Sequence, residues 1–293
     1  MEPNVIVHRR TCVRRRLSSV TRAVLAAVVG GAVLVSCGEP LVVQGGAVVS
    51  DPYDGPLYVE VDHPRSTPVP QRYGAAGLAL DCAGRAGITG AVTDSPKYDN
   101  GAVADDPEEA LETAKGEGGF VGAMSGYQLA RMQETRALFA YLVDGNVMEA
   151  VIVHDGPTLT ESGWHIESWA RCDWSELPDA IAQGYGIQVW SGEAGHRVPS
   201  TLVKSFPDAC DYDGMTELYL GKKAYLGNAP AGLGEFLVGP PKRDVPLPAD
   251  AVDTGYHLRD QHLWLSADRR RAYVGTRAEV DVWPRVAKRL VCG

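Results

Sequence analysis

No apolar run in this sequence is long enough to cross a bilayer. The longest, AVLAAVVGGAVLV at residues 23–35, has thirteen residues and is interrupted by Gly30-Gly31. As a helix it rises about 20 Å, against about 30 Å of hydrocarbon. Lysine is scarce, with seven in 293 residues. No basic stripe suited to phosphate contacts is present, which argues against a nucleic-acid partner. The glycine-rich stretches GEGGFVGAMSGY (116–127) and GKKAYLGNAPAGLGEFLVG (221–239) have no Gly-Lys-Ser/Thr element, so they read as turns and not as phosphate loops. Ser125 lacks the spacing of a nucleophile elbow, because Ala123 and Met124 both separate it from Gly122. No histidine or cysteine spacing matches a standard zinc motif. The sequence therefore assigns no catalytic residue, no metal and no cofactor.

What is present at the start is an export signal. Arg9, Arg10, Arg14, Arg15, Arg16 and Arg22 precede or open the short apolar run, with Glu2 as the only acid. A basic flank before a short apolar core is the pattern of a signal peptide; an uncleaved anchoring helix is the competing reading. The twin arginines leave the export route open. Leu34-Val35-Ser36-Cys37 resembles the lipobox of bacterial lipoproteins. That resemblance implies cleavage before Cys37 and diacylation of its sulfur with palmitate-type chains. Two chains hold a protein stably at a membrane where one does not. Residues 1–36 are thus expected to be a lipoprotein signal peptide. Residues 37–72, with three prolines in DHPRSTPVPQR, are expected to be a lipid-anchored tether and approach segment. Leu57–Val61 within it is a candidate edge strand. Removing residues 1–36 takes away six arginines and one glutamate, leaving 22 basic against 36 acidic residues and a net charge of −14. Such a surface is soluble and self-repelling.

The compact part is expected from Tyr73, as an α+β fold of two small units. Each is built on antiparallel hairpins or a meander, with few short helices. In the first, residues 73–172, Asp106, Pro107 and Glu109 mark a helix start and Gly116 its stop. TRALFAYLV and NVMEAVIVHD flank Asp144-Gly145 as a hairpin, apolar on both faces and hence central. GWHIESWARC (163–172) reads as a third strand. Its alternation puts Trp164, Ile166, Ser168 and Ala170 on one face, and His165, Glu167, Trp169 and Arg171 on the other. Residues 173–209 read as a connector with a short helix near 178–183 and a strand at 187–190. The second, mainly β unit, residues 210–293, carries hairpins at 215–227 and 262–276, a Pro-rich surface excursion at 239–255, and a brief terminal helix from Pro284.

The stretches AAGLALDC (75–82), DDPEEALE (105–112), GWHIESWARCD (163–173), LPADAVDTG (247–255), HLWLSADRRRAYV (262–274) and VWPR (282–285) resemble a group of lipoproteins and secreted proteins of high-GC Gram-positive bacteria. The likeness covers most of residues 73–292. It implies a secreted or lipid-anchored location and a disulfide-containing α/β body, and it supplies no catalytic residues.

Six histidines follow Cys37, and His154, Asp155 and His165 form the best local group. Two imidazoles and a carboxylate can hold a metal, but a strand-end histidine beside a polar-face histidine explains them equally well. His257 and His262 are five apart, which on an extended chain sends them to opposite faces. Most of the six tryptophans are expected to fill the core. Trp164 and Trp169 are the candidates for a binding surface, since tryptophan joins a large apolar area to one donor.

Four cysteines follow Cys37: Cys82, Cys172, Cys210 and Cys292. They are expected as disulfides in an oxidising location. Proximity in sequence favours Cys172 with Cys210. The unit boundaries favour Cys82–Cys172 and Cys210–Cys292, each closing one unit, and that pairing is the expectation. The function expected is a non-catalytic module at the outer face of the cytoplasmic membrane, held there by its lipid and meeting an envelope protein or glycan. The alternative is a cell-envelope hydrolase that uses carboxylates such as Asp155 or Glu167 in a cleft formed on folding.

Overall fold

The computed structural model describes residues 53–61, 67–85, 87–93, 103–116, 123, 125–158, 160–207 and 214–288. Cys37, Cys210 and Cys292 lie outside them, as does the expected signal peptide. All described residues fall within one compact unit, Gly45–Gly293. Among them, no helix is long and apolar enough to cross a membrane.

The described residues build three antiparallel sheets with few, short helices. A five-stranded sheet has the order β1-β5-β4-β3-β2, with β1 Thr89–Val92, β2 Gln128–Gln133, β3 Arg136–Val143, β4 Asn146–Pro157 and β5 Ser162–Arg171. The expected meander is its centre. Asp144 and Gly145 turn β3 into β4 with φ of 51° and 83°, the left-handed pair that a two-residue hairpin turn requires. Both faces are apolar because both are covered. On one, Leu138, Ala140, Ala150, Ile152 and Ala170 pack on α1, Gly74–Leu78, and on Leu57. On the other, Ala137, Phe139, Val151, Val153 and Ile166 pack on Ala110 and Leu111 of α2, Pro107–Gly116. Asp106 Oδ1 accepts the Glu109 N–H at 2.8 Å, and Glu109 Oε2 accepts the Asp105 N–H at 3.2 Å. These bonds satisfy donors that the helix cannot.

Leu57 is only 2% exposed, so the approach segment already enters the core before Tyr73. Residues 57–61 carry no strand, contrary to expectation. One buried leucine, stabilising by about 2 kcal/mol, anchors that segment without sheet hydrogen bonds.

Residues 173–209 hold more than a linker. They supply α3 (Asp179–Gly184), β6 (Gln188–Val189) and β7 (Val203–Pro207). With β8 (Thr216–Leu220) and β9 (Lys223–Gly227) these strands form a second sheet, β6-β7-β8-β9. Trp174, Leu177, Ala182 and Ile187 pack with Met148 and Cys172, joining the end of the first sheet to this segment. Cys172 bonds Cys82 across 90 residues of sequence, the first of the expected pairs.

A third sheet, β10-β14-β13-β12-β11, is formed by β10 Lys242–Val245, β11 Val252–Leu258, β12 Gln261–Leu265, β13 Arg271–Gly275 and β14 Val280–Pro284. Its inner face shares a core with the second sheet, in which Trp190, Val203, Leu218 and Tyr225 meet Leu263, Ala272, Val274 and Trp283. The hairpins expected at 215–227 and 262–276 are β8–β9 and β12–β13. The Pro-rich excursion is shorter than expected, because its two ends become β10 and β11. Pro284 does not open a helix. It closes β14, and Arg285 and Val286 run on as bridges to Tyr225 and Leu237.

Candidate functional site

The strand carrying Trp164 and Trp169 departs from simple alternation. Ile152 pairs Ser168 and Val153 pairs Ile166, so Glu167 is an extra residue in β5. Such a bulge turns the side chains on either side of it out of step. Trp164, Ile166 and Trp169 therefore all lie on the α2 face, packed against its core. The two tryptophans share a face instead of lying on opposite faces as alternation requires. Trp174, Trp190, Trp264 and Trp283 are buried at 8% exposure or less, whereas Trp164 and Trp169 are half-buried.

Trp164 borders a depression of about 350 Å³ lined also by Val103, Ala104, Asp105, Glu109, Asp155, Ser162 and Gly163. Two hydrogen bonds make it. Ala104 N–H donates to the Trp164 carbonyl at 2.9 Å, and Trp164 N–H donates to the Ala104 carbonyl at 3.0 Å. They sew the chain ahead of α2 onto the start of β5. Gly163 permits the approach, since a Cβ there would meet the Ala104 oxygen at 3.0 Å. Asp155 stands directly opposite Trp164 on β4. Three acidic residues thus line the depression with Trp164. Anionic groups beside an aromatic face suit a ligand that carries positive charge on a partly apolar frame.

The histidine group is rearranged. His154 and His165 are opposed on β4 and β5, with ring centroids 5.5 Å apart. Asp155 follows His154 and points to the other face, so it does not join them. Glu167 joins instead. Its Oε2 accepts from Arg136 Nε at 2.6 Å and lies 3.7 Å from His154 Nδ1. Arg136 also stacks 4.8 Å from the Tyr58 ring. His165 is 1% exposed, and its Nδ1 lies 2.9 Å from the Gly163 carbonyl. Among the described residues no set of three or more His, Cys, Asp or Glu is arranged to hold a metal. Asp155 and Glu167 lie on opposite sides of the sheet and share no cleft.

A buried polar spine escaped the sequence reading. Glu149, 1% exposed, faces Arg171 across β4 and β5. Its Oε2 accepts from the Ala123 N–H at 2.6 Å and from the Tyr127 hydroxyl at 2.5 Å. Burial raises the Glu149 carboxyl above its ordinary value, against the pull of those two donors and of Arg171. Burial and the adjacent carboxylate raise Tyr127 well above its ordinary value. Arg171 is lowered to about 10 by burial, opposed by Glu149 and Asp173. Its guanidinium lies 3.4 Å from the Trp174 ring centre, a cation–π contact. Asp173 then accepts from Ser175 N–H at 2.9 Å, Ser200 N–H at 2.8 Å and the Ser200 hydroxyl at 2.7 Å. The spine ties the first sheet to the residues leading into β7. A glutamate amid the apolar run of β4 was the available signal, but its partners are far away in sequence.

Ser125 is exposed. His257 and His262 are brought together by the β11–β12 hairpin instead of being sent to opposite faces. No protein-family model matches this chain, and no curated protein or solved structure matches it.

Proposed function

We propose that this protein is a non-catalytic, lipid-anchored module at the outer face of the cytoplasmic membrane. It binds a cationic envelope glycan or protein segment at the depression beside Trp164. The observation that carries this reading is that Asp105, Glu109 and Asp155 line one depression together with Trp164. The carboxylates named for the hydrolase alternative do not meet, and Glu167 is committed to Arg136. The large negative charge of the exported chain works in the same direction, by raising the local concentration of cationic partners.

The test uses the mature chain with chitosan oligomers as the cationic glycan and N-acetylated oligomers as the neutral control. Chitosan should bind, shift tryptophan emission and weaken with salt, because exposed charge pairs are screened at about 10 Å in 0.1 M salt. Trp164→Ala and Asp155→Asn should each weaken binding, while Trp169→Phe should not. Equal binding of charged and neutral oligomers, or full binding by Trp164→Ala, overturns the reading.

A further inference from the structure

We propose that His257 and His262 form an exchangeable two-imidazole site for divalent copper on the outer face of the third sheet. The hairpin places them. Leu258 pairs Gln261 around the two-residue turn at Arg259 and Asp260, and His257 then stands directly opposite His262. The His257 N–H and carbonyl both bond Ser191, so they point away from β12. The histidines are therefore a non-hydrogen-bonded pair, the kind in which Cα atoms approach to about 4.5 Å and side chains lie closest. Their ring centroids are 5.9 Å apart, inclined by 37°. A modest turn about the side-chain bonds brings one nitrogen of each to a shared ion.

The rings are available and steadied. Among the described residues neither makes a side-chain hydrogen bond or ion pair. His262 is exposed and His257 half-buried. On the same face of β12, His262 stacks against Trp264 at 5.5 Å and 27°, and Trp264 is itself 2% exposed. A buried indole beside one ligand limits its rotation, which lowers the entropy lost on binding. The other opposed pair, His154 and His165, lacks this access because His165 is buried and bonded to a carbonyl.

The donor set chooses the ion. Two imidazoles with no carboxylate favour a borderline transition metal, and copper binds such ligands most strongly in the first-row series. Calcium and magnesium require oxygen ligands. Only two positions come from the protein, so water fills the rest and the ion exchanges.

The experiment adds Cu²⁺ to the purified full chain and reads paramagnetic resonance together with tryptophan emission. The first equivalent should give a signal coupled to two imidazole nitrogens and should quench Trp264. His262→Gln and His257→Gln should each lower apparent affinity at least about tenfold, since each removes a metal–nitrogen bond. Trp264→Phe should remove most of the quenching while keeping the two-nitrogen signal. Near-ultraviolet circular dichroism checks that each variant is folded, and His262→Gln, at an exposed position, is the decisive one. Ca²⁺ should change nothing. A two-nitrogen signal that survives in the His257→Gln/His262→Gln double variant, or that disappears only in His154→Gln, overturns the proposal.

Discussion

Removing the Cys82–Cys172 bond by a double Cys82→Ala/Cys172→Ala change should lower stability by about 5.5 kcal/mol. The bond closes a loop of 90 residues, a stretch that contains α2 and all five strands of the first sheet. In the chain-entropy description, a loop of that length restricts the unfolded chain by about 4.5 kcal/mol. The rest comes from packing. Cys172 is fully buried among Met148, Trp174 and Leu177, and loss of its sulfur removes about 1 kcal/mol of apolar burial. With a urea slope of about 3 kcal/mol/M, the midpoint should fall by about 1.8 M. The slope should also rise, because an unlinked denatured chain exposes more surface. Urea unfolding followed by tryptophan emission measures both. Reduction of the wild-type protein should lower the midpoint at least as far, since it also opens the bond expected between Cys210 and Cys292. A fall of less than about 0.5 M, or an unchanged slope, would refute the loop-entropy reasoning.

Glu149→Ala should cost about 3–5 kcal/mol, because it leaves Arg171 buried without the carboxylate opposite it; Glu149→Gln should cost less. The Glu149 carboxyl is raised in the folded state. Its contribution is therefore fully present below the unfolded value and is lost as pH rises through the folded one. Acidification from neutrality toward pH 4.5 should favour folding through this group, and Glu149→Gln should abolish that component in denaturation midpoints measured across pH. Cys37→Ala should abolish lipid labelling, and native protein should begin at an acylated Cys37 by mass spectrometry; any other first residue without acyl mass sinks the anchor. In non-reducing peptide maps Cys210 should join Cys292, and a fragment joining Cys172 to Cys210 would contradict the disulfide described above.

Local signals were legible in the sequence where they were complete in themselves. Asp106, Pro107 and Glu109 start α2 because a helix start is satisfied within one turn. Asp144-Gly145 fixes a hairpin because left-handed backbone is needed at two adjacent positions. The apolar double face of β3 and β4 correctly implied cover on both sides. What escaped depends on partners distant in the chain. Nothing local to Leu57 shows that it enters the core of a sheet some eighty residues on. Asp173 is an ordinary turn aspartate until Ser200 arrives to share it. For the candidate site, the grouping of the residues could not be read from their order in the chain. Asp155 left the histidines for Trp164, Glu167 joined them, and His257 met His262 through a turn, at Arg259 and Asp260, that lacks the usual glycine or asparagine.

The extra residue at Glu167 acts on β5 as a frame shift acts on a message. Residues 162–166 and 168–171 are two phrases read in opposite phase, and Glu167 is the character that resets the reader. Each phrase is therefore free to change by its own rule, with the depression at one end and the polar spine at the other answering to separate demands. Deleting Glu167 would restore simple alternation and leave Trp164 and His165 on their present faces, whereas giving Glu167 a regular place opposite Val153 would exchange them. In that straightened register an indole would stand beside Arg136 and His154, and an imidazole would stand among the carboxylates. Deletion of this residue should thus cost chiefly the contacts its side chain makes with Arg136 and His154.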